Sequence, residues 1–227
     1  MKTWLKVTAL RGQKLSRFRE GEAAVPLVEG VSRPAIFRIH DWQDAGLRYR
    51  AIQTSLATSP AVELTPLAGM NAAQVTNAWI EEFKHAVGRL GTTTTDRFRF
   101  HPDAVEAHVK HWFGAEAPFV ADQYSVAHGD AHWGNLTYPN LTFLDWELWG
   151  LAPNGFDLAY LVTFSCMDPL LAQRLEAAFE DELTTMSGQV AHLIALGEFL
   201  NLIKEGFFPR LHQEPAMQMA QRVLRRR

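Results

Sequence analysis

Cysteine is nearly absent from this chain: Cys166 is the single one in 227 residues, inside the apolar stretch LVTFSCMD. No internal disulfide can form, and a reducing compartment, the cytoplasm, is the expected location. Long hydrophobic runs are missing too. No segment approaches the ~20 apolar residues that cross a bilayer, and the opening MKTWLKVTALRGQK has no signal-peptide h-region. No internal repeat or low-complexity stretch occurs. A strong excess of one charge is also lacking, the net charge being −3. The closing Arg225, Arg226 and Arg227 read as a helix end favoured by its dipole rather than a nucleic-acid tail. Neither a membrane nor a nucleic acid is expected as partner.

What is present is an ordinary globular composition, 47% hydrophobic and 21% charged. Charge is unevenly spread: residues 1–70 carry +4 and residues 71–227 carry −7. The front part reads as short β segments: TWLKVTAL, a turn at Arg11-Gly12-Gln13, and the apolar run Pro34–His40. Residues 44–57 place Leu47, Ala51, Ile52 and Leu56 at helical spacing, which predicts a helix. Ser59-Pro60, Thr65-Pro66 and Gly69 then break the chain, so a hinge is expected near 64–70. Beyond it Val75, Trp79, Phe83, Ala86, Val87 and Leu90 form one apolar stripe over 72–90, a core helix closed by Gly91. Further helices are expected over 102–113, after the Asp168-Pro169 cap signal, over 189–206 and over 214–226.

Between the helical stretches lies a Gly/Asn/Pro-punctuated section, 124–163. There Val126–Leu136 concentrates His128, Asp130, His132 and Asn135 in a few residues. A short apolar run follows and ends in the carboxylates Asp145 and Glu147. Alone, His128-Gly129-Asp130 is as well explained by a turn. The combination is more specific. Phosphoryl transfer needs little covalent chemistry from a protein; it needs a carboxylate that positions the acceptor and hard oxygen ligands that hold Mg²⁺ against nucleotide phosphates. An Asp at loop centre, an Asn five residues on and a second Asp on a returning strand supply those groups.

At these residues the sequence resembles the aminoglycoside phosphotransferase and choline kinase superfamily, a branch of the protein-kinase-like fold. The family's H-G-D-x-H-x-x-N loop is met by His128, Gly129, Asp130, His132 and Asn135, and its [IL]-D-[WF]-E segment by Leu144, Asp145, Trp146 and Glu147. A Gly/Pro-containing turn leading to D-L-A is met by Gly150–Ala159. The resemblance implies a two-lobed α+β fold, with a short, mainly β nucleotide-binding lobe over 1–67 and a larger, mainly helical lobe over 68–227. It implies ATP or GTP and Mg²⁺ as cofactors. The acceptor would be a small molecule bearing a hydroxyl, and the acidic back part favours a cationic one such as an aminoglycoside or amino alcohol. Asp130 would orient or deprotonate the acceptor, with His128 holding the catalytic loop by hydrogen bonds. Asn135 and Asp145 would bind the metal, Glu147 would stand near it or near a cationic substrate, and Asp157 would brace the loop from below.

Two elements of the family pattern are thin. The glycine-rich turn is reduced to Gly12, with Lys14 or Arg17 as phosphate contacts. The third-strand lysine that holds phosphates falls, by this alignment, on Arg38, and the predicted helix 44–57 contains no Glu to pair with it. Arg38 is therefore the expected nucleotide contact, although an Arg-for-Lys exchange is not conservative at a demanding site. A binding protein of pseudokinase type is the alternative. A metal-dependent phosphoesterase, read from Gly129–His132, is a lesser one because no further His ligands appear at suitable spacing.

Overall fold

A computed structural model describes residues 2–10, 20–23, 25, 28–62 and 74–226. The front part is a three-stranded antiparallel sheet of β1 (Thr3–Leu10), β2 (Ile36–Asp44) and β3 (Leu47–Ser55), in the order β1-β3-β2. Residues 44–57 are thus not a helix. Ala45 and Gly46 both take positive φ (46° and 76°), the geometry of a two-residue hairpin turn. The residues that seemed helically spaced alternate instead across two faces. Ile52 opposes Lys6 on one side and Ile39 on the other, and Arg50 opposes Asp41. The Arg50–Asp41 pair is bidentate, both contacts at 2.8 Å. The turn at 11–13, with Gly12, Lys14 and Arg17, and the hinge at 64–70 lie outside the described residues.

The back part is helical. Helix α1 (Asn77–Gly91) starts where the Thr76 hydroxyl accepts from the Trp79 amide, and it buries Trp79, Ile80, Phe83, Ala86 and Leu90. Helix α2 (Pro102–Phe113) has proline in its first turn and buries Val105 and Val109. Strands β4 (Tyr124–Ala127) and β5 (Gly150–Pro153) pair antiparallel and clamp the two ends of the loop 128–149. After them come α3 (Phe156–Thr163), α4 (Pro169–Ala178), the single turn α5 (Glu180–Leu183), α6 (Met186–Lys204) and α7 (Gln213–Leu224). The Asp168 carboxylate caps α4 by accepting from the Leu170 and Leu171 amides. Helix α6 is buried on nearly all sides, packed against α2, α3 and α7. It is the axis of the core and the wall behind the loop that carries Asp130.

Candidate active site

The loop after β4 is held from below by one carboxylate. Asp157, in the first turn of α3, accepts from the His128 amide at 2.6 Å and the Gly129 amide at 3.0 Å. Asp157 is fully buried, and burial pushes its carboxyl up to about 6 against the pull of those two N–H groups. Gly129 sits at φ +81°, and a Cβ there would lie 2.5 Å from the Leu148 carbonyl oxygen, so no other residue fits. The His128 ring, also fully buried, donates from Nε2 to the Leu144 carbonyl at 2.8 Å. Burial pulls its pKa down to about 4, which keeps it neutral. His128 thus ties the Asp130 loop to the segment that delivers Asp145, an irregular stretch rather than the expected returning strand, and it touches no open space.

Asp130 stands at the loop's centre. Its Oδ1 accepts from the Tyr160 hydroxyl at 3.0 Å and its Oδ2 from the Asn135 amide at 2.9 Å. Burial pushes the Asp130 carboxyl up to about 7, with the Tyr160 hydrogen bond and the Arg99 charge opposing. Arg99 donates to the Gly129 carbonyl at 3.0 Å and grips both oxygens of Glu198 on α6 at 2.8 Å. Asn135 is drawn to the returning segment by the Leu144 amide, which donates to its carbonyl at 2.8 Å. Asp145 follows at φ +59°, a left-handed conformation that costs a non-glycine residue on the order of 1 kcal/mol. That turn aims its carboxylate at the cleft.

Lys6 and Glu22 are the residues that sequence reasoning missed. The Lys6 ammonium, on β1, bonds the Asp145 carboxylate and the Glu147 carboxylate, the latter at 2.6 Å, and lies 3.6 Å from Glu22. Burial would pull Lys6 down, but Asp145 and Glu147 together push it up, so it stays charged. Burial pushes Glu22 up while Lys6 pulls it back. Glu22 belongs to a helical turn at 20–23 that approaches the loop closely: a Cβ on Gly21 would lie 2.2 Å from the Glu147 carbonyl oxygen. The Trp149 indole fastens this turn by donating to the Gly21 carbonyl at 2.9 Å. The signal for Lys6 was a lone lysine in the apolar strand Trp4-Leu5-Lys6-Val7, followed by a Glu in a short helical run.

Arg38 is placed elsewhere. Strand alternation puts it on the outer face of the sheet, in a shallow groove of about 280 Å³ with Leu5, His40, Ala51 and Gln53. Lys6, on β1 across the intervening β3, points to the inner face instead. The expectation that Arg38 joins the nucleotide site is therefore corrected.

The inner face borders a cavity of about 570 Å³ between sheet and helical part. Trp4, Ile36, Ile52, Leu56 and Ala57 give it apolar walls, while Lys6, Glu22, Asn135 and Asp145 converge at one end. Asp130 lies just beyond, joined through Asn135. Asn135 and Asp145 offer hard oxygens that fit Mg²⁺, which takes few carboxylates and completes its shell with water or phosphate. Among the described residues no group of three or more His, Cys, Asp or Glu is arranged to hold a metal.

A family model described as the phosphotransferase enzyme family (APH) matches residues 20–188. The chain belongs to this phosphotransferase family. No match is found among curated proteins. Among solved structures, a thermostable variant of aminoglycoside phosphotransferase APH(4)-Ia in its apo form is similar at 13% identity and TM-score 0.61, covering 98% of this chain and 86% of that one. A ternary complex of such a variant with ADP and hygromycin B is similar at 12% identity and TM-score 0.59, covering 92% and 82%. These likenesses establish a protein-kinase-like α+β fold, with a small strand-rich front region and a larger helical part, for this phosphotransferase.

Proposed function

We propose that the protein transfers the γ-phosphoryl group of ATP or GTP, with Mg²⁺, to a hydroxyl of a small molecule. One observation carries the reading: Lys6, Asn135 and Asp145 converge on a single cavity beside Asp130. The apolar walls suit a nucleotide base, and Lys6 suits its phosphates, with Glu22 as the partner that steadies it. Asn135 and Asp145 would hold the metal, which when bound neutralises phosphate charge. For the phosphates to bind, Lys6 exchanges its bonds to Asp145 and Glu147 for phosphate oxygens.

Asp130 acts on the acceptor. A carboxylate poised near neutral pH takes a proton from an incoming hydroxyl more readily than an ordinary one. Tyr160 and Asn135 fix its two oxygens, so the acceptor meets a carboxylate of set direction. The acidic surplus beyond residue 70 favours a cationic acceptor, and hygromycin B in a similar enzyme is of that kind. The pseudokinase alternative drew on Arg38, a missing Glu, a thin glycine-rich turn and a short front lobe; Lys6 and Glu22 at the cleft favour the active reading over it.

The test is a phosphoryl-transfer screen over hydroxylated amines. Asp130→Ala and Asp145→Ala should each lower turnover by about a hundredfold or more, whereas Arg38→Ala should leave the nucleotide KM unchanged. Comparable activity in all three would defeat the reading, as would the lack of any thermal shift at millimolar ATP and Mg²⁺.

A further inference from the structure

Two arginines brace the loop 128–149 from outside it, and both come from the stretch between α1 and α2. Backbone bonds lay that stretch beside β5. The Arg99 amide donates to the Leu151 carbonyl at 2.8 Å, and the Leu151 amide donates to the Arg97 carbonyl at 2.7 Å. Phe98 bridges Leu151 in parallel register. The approach is so close that a Cβ on Gly150 would lie 2.7 Å from the Arg97 carbonyl oxygen. Residues two apart on extended backbone project to one side. In Arg97-Phe98-Arg99 both guanidinium groups therefore face the loop, while Phe98 meets Tyr124 edge-on at 6.3 Å.

The two side chains grip opposite arms. The β4–β5 ladder ends at the pair Ala127 and Gly150, and the loop carbonyls beyond it are outside that pairing. Arg99 takes the outgoing arm: its Nε donates to the Gly129 carbonyl at 3.0 Å, one residue before Asp130. Arg97 takes the returning arm: its Nε donates to the Trp149 carbonyl at 2.6 Å and its Nη2 to the Glu147 carbonyl at 2.9 Å. Each arginine is itself fixed. The Arg99 guanidinium lies 4.2 Å from the centre of the Phe100 ring and bonds both Glu198 oxygens at 2.8 Å. The Arg97 guanidinium lies 5.9 Å from the centre of the Trp149 ring. Neither arginine lines the cavity where Lys6, Asn135 and Asp145 meet.

We propose that Arg97 and Arg99 are positioning residues. Arg99 sets where Asp130 stands, Arg97 sets where Asp145 and Glu147 stand, and the extended stretch that carries both fixes the separation between the two arms. The inference rests on the phosphotransferase reading and adds two residues to it. Phosphoryl transfer is mostly placement of groups, and a small misplacement is costly in rate. A charged donor holds a carbonyl more firmly than a neutral one, which suits these side chains to the task. The two grips act on different parts of the reaction. Loosening the Arg99 arm displaces the group that meets the acceptor and lowers kcat. Loosening the Arg97 arm displaces the groups that meet metal and phosphate and weakens nucleotide binding.

The experiment compares wild type, Arg97→Lys and Arg99→Lys in the full chain. Lysine keeps the charge and most of the length but lacks the two-pronged fork, and it spares the buried surroundings that alanine would empty. The Kd of AMP-PNP with Mg²⁺ is read by titration calorimetry, and kcat by phosphate transfer from ATP to hygromycin B, glucosamine and ethanolamine. Arg97→Lys should raise the Kd by about tenfold and leave kcat within about threefold, whereas Arg99→Lys should lower kcat by about tenfold and leave the Kd within about twofold. A purely structural role would lower the active fraction, and so kcat, in both variants alike while leaving both Kd values unchanged. That result overturns the proposal, as do exchanged effects or no effect in either variant. Failure of the underlying reading looks different: wild type then binds no AMP-PNP and phosphorylates none of the three acceptors. Hydrogen exchange read by mass spectrometry still decides about the two grips in that case. Exchange should quicken over 128–134 in Arg99→Lys alone and over 144–149 in Arg97→Lys alone, and wild-type rates in both variants would refute the bracing itself.

Discussion

The front sheet and the helical part solve the same problem in different ways. In the helical part nearly every element buries an apolar face, and Asp157, His128 and Asn135 are locked in place by buried hydrogen bonds. The sheet buries little: among the described residues Ile52 is its one buried strand side chain, while Trp4, Leu5, Val7, Phe37 and Trp42 stay exposed. Its Lys6 is held to the other part by ion pairs to Asp145 and Glu147, whose side chains remain 37% and 25% exposed. The acid and the loop that, in the proposed function, would meet the acceptor are thus built into the core. The cation that, in the proposed function, would meet phosphate is held by ion pairs at the surface of the cleft.

The largest expected effect breaks the buried side of this comparison. Asp157→Ala would leave the His128 and Gly129 amides unpaired in the interior at ~1–3 kcal/mol each, against some relief from removing a buried carboxylate. A net loss of about 3 kcal/mol should lower the melting temperature by roughly 6–12 °C in a chain of this length, measurable by calorimetry. Lys6→Ala should do the reverse. Exposed ion pairs contribute roughly 0–1 kcal/mol, so melting should shift by no more than about 3 °C, while nucleotide affinity falls by about tenfold or more. If both substitutions cost the same stability, the contrast between the two parts fails.

A smaller effect is the response to acid. Asp130 and Asp157 have folded pKa values raised to about 7 and about 6, so their protonation favours the folded state as pH falls. His128, His132 and His192 are depressed to about 4, 4 and 3, so their contribution is complete above about 6.5 and is lost as pH drops toward those values. Three such groups outweigh two. Stability should change little between pH 7.5 and 7 and decline between 6.5 and 5. His192→Leu, remote from the cleft between α6 and α7, should flatten that decline; an unchanged slope would show that His192 is not buried in its neutral form.

The site was legible in the sequence where chemistry is packed into a short stretch. His128, Asp130, Asn135 and Asp145 lie within one loop whose ends β4 and β5 clamp, so spacing along the chain is nearly spacing in the fold. Helix α1 was legible because it carries one apolar stripe, whereas α3, buried on every side, fell in the section read as loops and short strands. The hairpin at 44–57 was not, because Leu47, Ala51, Ile52 and Leu56 satisfy helical spacing by chance while Ala45-Gly46 makes the turn. That misreading carried the nucleotide contact onto Arg38, whose strand would immediately precede a helix at 44–57. Tyr160, Arg99 and Glu198 come from elements far apart in sequence. Only the packing of α3 and α6 brings them to one place.

Arg99 has an implication for how such an enzyme changes over evolution. One guanidinium grips both the Gly129 carbonyl in the Asp130 loop and the Glu198 carboxylate on α6. Mutations that reshape α6 to admit a new compound will tug on the loop through that single side chain. Gains in what the protein accepts should therefore come with shifts in how fast it works, until a second change resets the linkage.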